Sequence, residues 1–255
     1  MSRIVKITLI LVVSAAALAA GIFYYVTTAT VQPPQAVIAR DRSDSVLSDC
    51  GCTEALLKKA LDAPNMGRGS TVTVITSGDE STADEPLLVG SFDTPISRRV
   101  IEGRDSARRK KEVLLADLKA KCESLPITKR SPIALLIRRG LERLRQAGCN
   151  SATVGCVLWI QTDAEETAET ELKKVLDGNG ANKRRGKVPM IDNRGIEVVF
   201  FGLSQTVGER ETSDGQRRHF TRARDSRRAD FLRDGWLSVF SDPGRVRFEP
   251  FCPTN

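Results

Sequence analysis

The run Val154-Gly155-Cys156-Val157-Leu158-Trp159-Ile160 has no polar side chain anywhere along it. A strand that is apolar on both faces has to be covered on both sides, which is the position of a central strand in a parallel sheet. An antiparallel sheet with one face in water would show alternation instead. The rest of the chain must then supply helices for two layers.

Strand-like and helical stretches follow one another in turn. Ala36 to Arg40 is a short first strand. Cys52 to Asp62 carries an apolar stripe of Leu56, Leu57, Ala60 and Leu61, and Ala63-Pro64-Asn65-Met66-Gly67 stops it. Thr71 to Thr76 is β-branched and alternating, a strand. Leu87-Leu88-Val89 offers a short antiparallel edge inside the polar, Gly- and Pro-punctuated stretch from Ser77 to Asp105. Ser106 to Ser124 is an amphipathic helix, with Val113, Leu114, Ala116, Leu118 and Cys122 on one side.

Ser131 to Ala147 reads as a third helix, with Ser131 as its cap and Pro132 at the next position. Glu165 to Leu176 reads as a fourth, its acids suiting the positive end. Ile196 to Leu203 is a buried strand, Ala229 to Phe240 a helix, and Val246 to Glu249 a last edge strand. This order predicts an α/β fold: a doubly wound, mostly parallel sheet with helices on both faces. A chain of 255 residues, 40% hydrophobic, is long enough for one substantial core.

Ile7 to Val26 is uncharged and follows Arg3 and Lys6. Its length suits a helix across a bilayer. Ala17-Leu18-Ala19 resembles a signal-peptidase site, yet the run stays apolar through Tyr24, Tyr25 and Val26, which suits an uncleaved anchor. The basic amino terminus then stays in the cytoplasm and the remainder is exported. The expected layout is a signal-anchor over residues 1–30, a stiff linker at 31–35 containing Pro33-Pro34, and a domain over 36–255 on the periplasmic or extracellular side.

Cys50, Cys52, Cys122, Cys149, Cys156 and Cys252 fit an oxidising compartment as disulfides, among 15 possible pairings. The single histidine, His219, argues against His-rich zinc sites and His-dependent triads. A net charge of +7 tolerates acidic partners without demanding nucleic acid, and none is expected. The basic clusters Lys183 to Lys187 and Arg217 to Arg228 read as solvated loops.

Three oxygen-bearing segments stand out against this frame. Asp41-Arg42-Ser43-Asp44-Ser45 follows the first strand, so a carboxylate and two hydroxyls can share one pocket at the edge where open α/β sheets bind ligands. Ser131 opens the third helix, and Thr162-Asp163 closes the apolar strand. In this order and spacing they resemble the von Willebrand factor A domain and its metal-ion-dependent adhesion site, over about residues 35 to 250. The resemblance implies a divalent cation, magnesium or else manganese or calcium, held by Asp41, Ser43, Ser45, Ser131 and Asp163. It implies no catalysis, and a protein partner that completes the ion's shell with an acidic side chain.

The chain departs from that pattern in places. Asp44 stands where a Gly is common and Ser131 where a Thr is usual, with Thr128 as an alternative oxygen. Arg40 and Arg42 flank the motif and weaken a cation site unless they point away. Two other readings stay open. Ser43, Ser45, Ser131 and Asp163 are all good helix caps, and a cation could instead activate water for hydrolysis.

Overall fold

The computed structural model describes residues 33–43, 50–63, 66, 69–77, 86–92, 103–125, 130–151, 155–168, 170–176, 190–203, 205–211 and 217–253. The expected anchor, Ser45, Asp44, Thr128 and the basic loop at 183–187 lie outside them. Among the described residues no helix is long and apolar enough to cross a membrane.

The strands are β1 (Gln35–Arg40), β2 (Ser70–Thr76), β3 (Leu88–Phe92), β4 (Cys156–Gln161), β5 (Glu197–Phe201), β6 (Gln205–Glu211), β7 (Arg217–Ala223) and β8 (Val246–Glu249). The helices are α1 (Gly51–Leu61), α2 (Gly103–Glu123), α3 (Ile133–Gln146), α4 (Thr170–Leu176) and α5 (Ser226–Leu237). Six strands form one sheet in the order β3-β2-β1-β4-β5-β8. Every pairing in it is parallel except β2 with β3, the antiparallel edge that Leu87-Leu88-Val89 foreshadowed.

Period-two alternation sorts the strand residues onto two cores. Val37, Ala39, Leu158, Ile160, Val198 and Phe200 face α3, α4 and α5, in a cluster closed by Trp236 and Phe240. Ala36, Ile38, Val72, Val74, Trp159 and Val199 face α1 and α2, through Leu56, Leu57, Leu61, Leu114 and Leu118. Helices thus cover both faces, as the apolar β4 requires. Gly140 allows α3 to approach closely, because a Cβ there would lie 2.5 Å from Leu158 Cδ1.

All six cysteines are paired: Cys50 with Cys122, Cys52 with Cys252, and Cys149 with Cys156. The first joins the start of α1 to the end of α2, and the second ties α1 to the carboxyl-terminal tail.

Two expectations need correcting. The fourth helix begins at Thr170, not Glu165, because Ala164 adopts a left-handed conformation (φ 65°) and the two glutamates have other partners. The basic stretch after Arg217 is not a loop throughout. Arg217–Ala223 pairs with β6 in a two-stranded ribbon whose register sets Glu211 opposite Arg217 and Glu209 opposite His219. Reading the stretch for charge alone hid a strand.

Candidate metal centre

Strand order fixes where the site lies. The chain leaves β1 toward β2 on one side, while β4 and β5 extend on the other, so the carboxyl ends of β1 and β4 flank the topological switch point where such sheets bind ligands. Asp41 follows β1, Ser77 follows β2, and Thr162 and Asp163 follow β4. The backbone locks these ends together: Asp41 N donates to Gln161 O at 2.9 Å, and Ser77 N to Arg40 O at 2.9 Å.

Asp41 is the centre of the cluster and is 1% exposed. Its Oδ1 accepts from the Ser43 amide at 3.1 Å and from Ser77 Oγ at 3.2 Å. Its Oδ2 accepts from Ser43 Oγ at 3.2 Å and from Thr162 Oγ1 at 3.0 Å. The Ser131 hydroxyl lies near enough to favour the charged form of this carboxylate. Burial pushes the Asp41 carboxyl above its ordinary range, outweighing the lowering by the Ser43 amide and the Thr162, Ser131 and Ser77 hydroxyls.

The capping readings of Ser43, Ser131 and Asp163 do not survive. Cys50 is the residue before α1 and makes no side-chain cap bond, while the Ser43 hydroxyl is spent on Asp41. Pro132, not Ser131, occupies the cap position of α3. The free amide at that helix start, Ala134 N, donates instead to Glu166 Oε2 at 2.8 Å. Asp163 is well short of Thr170 and accepts from the Glu165 amide at 3.1 Å in a local turn.

The structure therefore brings Asp41, Ser43 and Ser131 together, with Asp163 next to a residue, Thr162, that touches Asp41. Sequence reading missed Ser77 and Thr162 as members. Both occupy the first position after a strand, and that placement was the available signal. It also missed Arg224, whose side chain is 6% exposed and lies 3.6 Å from Asp163 Oδ2. Arg40, which flanks the motif, points away: its Nη1 donates to Cys50 and Cys122 sulfurs at 3.0 and 2.7 Å.

The donor set is hard oxygen throughout, which suits magnesium, manganese or calcium. Among the described residues no group of three or more His, Cys, Asp or Glu side chains is arranged to hold a metal, so carboxylates or thiolates alone do not make this site. Hydroxyls carry it. A buried carboxylate surrounded by hydroxyls and an amide, with no ion pair among the described residues, fits a cation that supplies one.

No family model matches the chain, and no curated protein matches it. Among solved structures, the conserved hypothetical protein BatB from Bacteroides thetaiotaomicron is similar at 12% identity and a TM-score of 0.42, over 87% of this chain and 92% of that one. An aerotolerance-related membrane protein from Bacteroides fragilis NCTC 9343, carrying multiple mutations to serines, is similar at 12% identity and a TM-score of 0.38, over 85% and 90%. Superpositions this loose assign neither fold nor chemistry.

Proposed function

We propose that this chain is a membrane-anchored, exported domain of von Willebrand factor A type that binds a protein partner through a divalent cation. The observation that carries the proposal is the convergence of Asp41, Ser43 and Ser131, from segments far apart in sequence, at the switch point of a doubly wound sheet. Ser43, Ser45 and Ser131 would hold magnesium through neutral hydroxyls, while Asp41 and Asp163 orient them. Few negative charges near the ion leave it attractive to an acidic side chain from outside. Three disulfides support export to an oxidising compartment. The apolar run at 7–26 supports anchoring.

Titration calorimetry of the protein with magnesium and manganese tests the site. Binding that disappears in Ser43→Ala, with the fold intact by circular dichroism, supports it. Absence of binding by either metal leaves a scaffold whose site is vestigial, a reading favoured by the guanidinium of Arg224 beside Asp163. Metal-assisted hydrolysis is disfavoured at Glu165, a described candidate base two residues after Asp163. Its carboxylate is already paired with Arg228, and Arg224 lies 3.4 Å away.

A further inference from the structure

Arg224 follows directly on β7, and its side chain is almost wholly buried. Its Nη1 donates to the Asp163 carbonyl at 2.7 Å, and its Nη2 lies 3.6 Å from Asp163 Oδ2. The same Nη1 is 3.4 Å from Glu165 Oε1, and Glu165 is shared with Arg228 Nε at 3.0 Å. A guanidinium keeps its charge at every pH a protein tolerates. Away from water that charge is weakly screened, unlike a surface arginine's. Asp41 has the opposite surroundings, an amide and hydroxyls. The two candidate carboxylates are therefore not equivalent: Asp163 has a guanidinium beside it, while among the described residues Asp41 forms no ion pair.

We propose that Arg224 is the charge-setting residue of the cation site: it neutralises Asp163, so that a bound divalent ion keeps a net positive charge and needs an anionic group from outside to complete it. This rests on the metal reading above. Two full carboxylate charges would cancel a divalent ion and leave little to attract a partner. With Arg224 in place, one positive charge remains. Intrinsic metal affinity falls, and the pull on an acidic partner rises. The fold thereby trades storage of the ion for recognition through it.

The test uses the full chain in mild detergent, titrated with magnesium chloride by calorimetry and followed by thermal melting. Arg224→Gln removes the charge, and Arg224→Lys keeps it while losing the guanidinium fork. The expected result is magnesium affinity roughly tenfold tighter in Arg224→Gln, from the Coulomb term at intermediate dielectric, with Arg224→Lys close to the unmodified chain. Arg224→Gln should also show the larger magnesium-induced rise in melting temperature.

An unmodified chain that binds no magnesium beside an Arg224→Gln that does overturns the proposal together with the metal reading, because Arg224 would then close the site to the ion. Equal or weaker binding by a folded Arg224→Gln overturns it while leaving the metal reading intact, as does Arg224→Lys binding as tightly as Arg224→Gln. No binding by any of the three overturns both. Should Arg224→Gln fail to fold with or without magnesium, Glu165→Gln decides. That half-buried change leaves Arg224 to Asp163 alone and should weaken binding several-fold, whereas unchanged affinity overturns the proposal.

Discussion

Thr162 Oγ1 donates to Asp41 Oδ2 at 3.0 Å while accepting from the Ala164 amide at the same distance, so one hydroxyl joins the ends of β4 and β1 and fixes its own proton direction. A hydroxyl that already accepts an N–H has its proton free to give. The turn that aims Ala164 N is left-handed, and Trp236 Nε1 props it from α5 by donating to Ala164 O at 2.9 Å.

Thr162→Val keeps the shape and removes that link. It leaves the buried Ala164 amide without its acceptor and Asp41 short of a donor, which should cost about 1–3 kcal/mol. Thr162→Ser retains the oxygen and should cost less. Urea denaturation of both variants checks the order. Equal losses would mean that the methyl group, not the hydroxyl, holds this corner.

Asp41 should make the metal-free protein sensitive to pH. Its carboxyl is raised above the ordinary value of 3.8, chiefly by burial. For a raised acid, the folded state binds the proton more tightly than the unfolded state. Its contribution to stability is full below the unfolded value and is lost as pH rises through the folded one. Stability measured without metal should therefore decline over that window. Asp41→Asn should flatten the decline and abolish magnesium binding, while magnesium added to the unmodified chain should oppose it. Denaturation midpoints across a pH series, with and without magnesium, decide this. A profile identical in Asp41→Asn would exclude Asp41 as the source.

Periodicity made most of the sheet legible beforehand. The unbroken apolar run ending at Ile160 states that both faces are covered, whereas the alternation at 71–76 marks a strand but not its second covered face, since Val72 to Ile75 are all buried. The site was legible only in part, because period and composition report a residue's layer and not its partners. Ser131 has the local signature of a cap, and nothing nearby in sequence shows that Glu166 takes that duty. Arg224 sat inside a basic run that looked like surface, and only the ribbon of β6 and β7 turns it inward to Asp163. Long-range ion pairs leave no periodic trace.

The disulfides should rank by the length of chain they close. On the chain-entropy estimate, Cys52–Cys252, 200 residues apart, contributes about 5 kcal/mol and Cys149–Cys156, seven apart, about 2 kcal/mol. Paired Cys→Ser variants, compared by denaturant midpoint, test the ranking. Cys50–Cys122 should cost more than its separation of 72 predicts, because its sulfurs accept from the buried Arg40. Arg40→Met in the Cys→Ser background should then recover part of the loss. No recovery would show that Arg40 finds other acceptors.

Gly202 tests whether the geometry of the strand ends, apart from their chemistry, sets metal affinity. It follows β5 with φ +101°, and a Cβ there would stand 2.8 Å from Thr162 O. Gly202→Ala should cost about 1–2 kcal/mol for the left-handed backbone alone. To relieve the clash, Thr162 has to move, and Asp41 loses the alignment of one donor. Magnesium affinity should therefore fall with stability. Gly140→Ala is the control: its clash is with the flexible end of Leu158, in mid-strand and not at the strand end that carries Thr162, so stability should fall while magnesium affinity stays unchanged. Loss of affinity in both variants, measured by calorimetry on folded protein, would mean that the site follows global stability and not the position of Thr162.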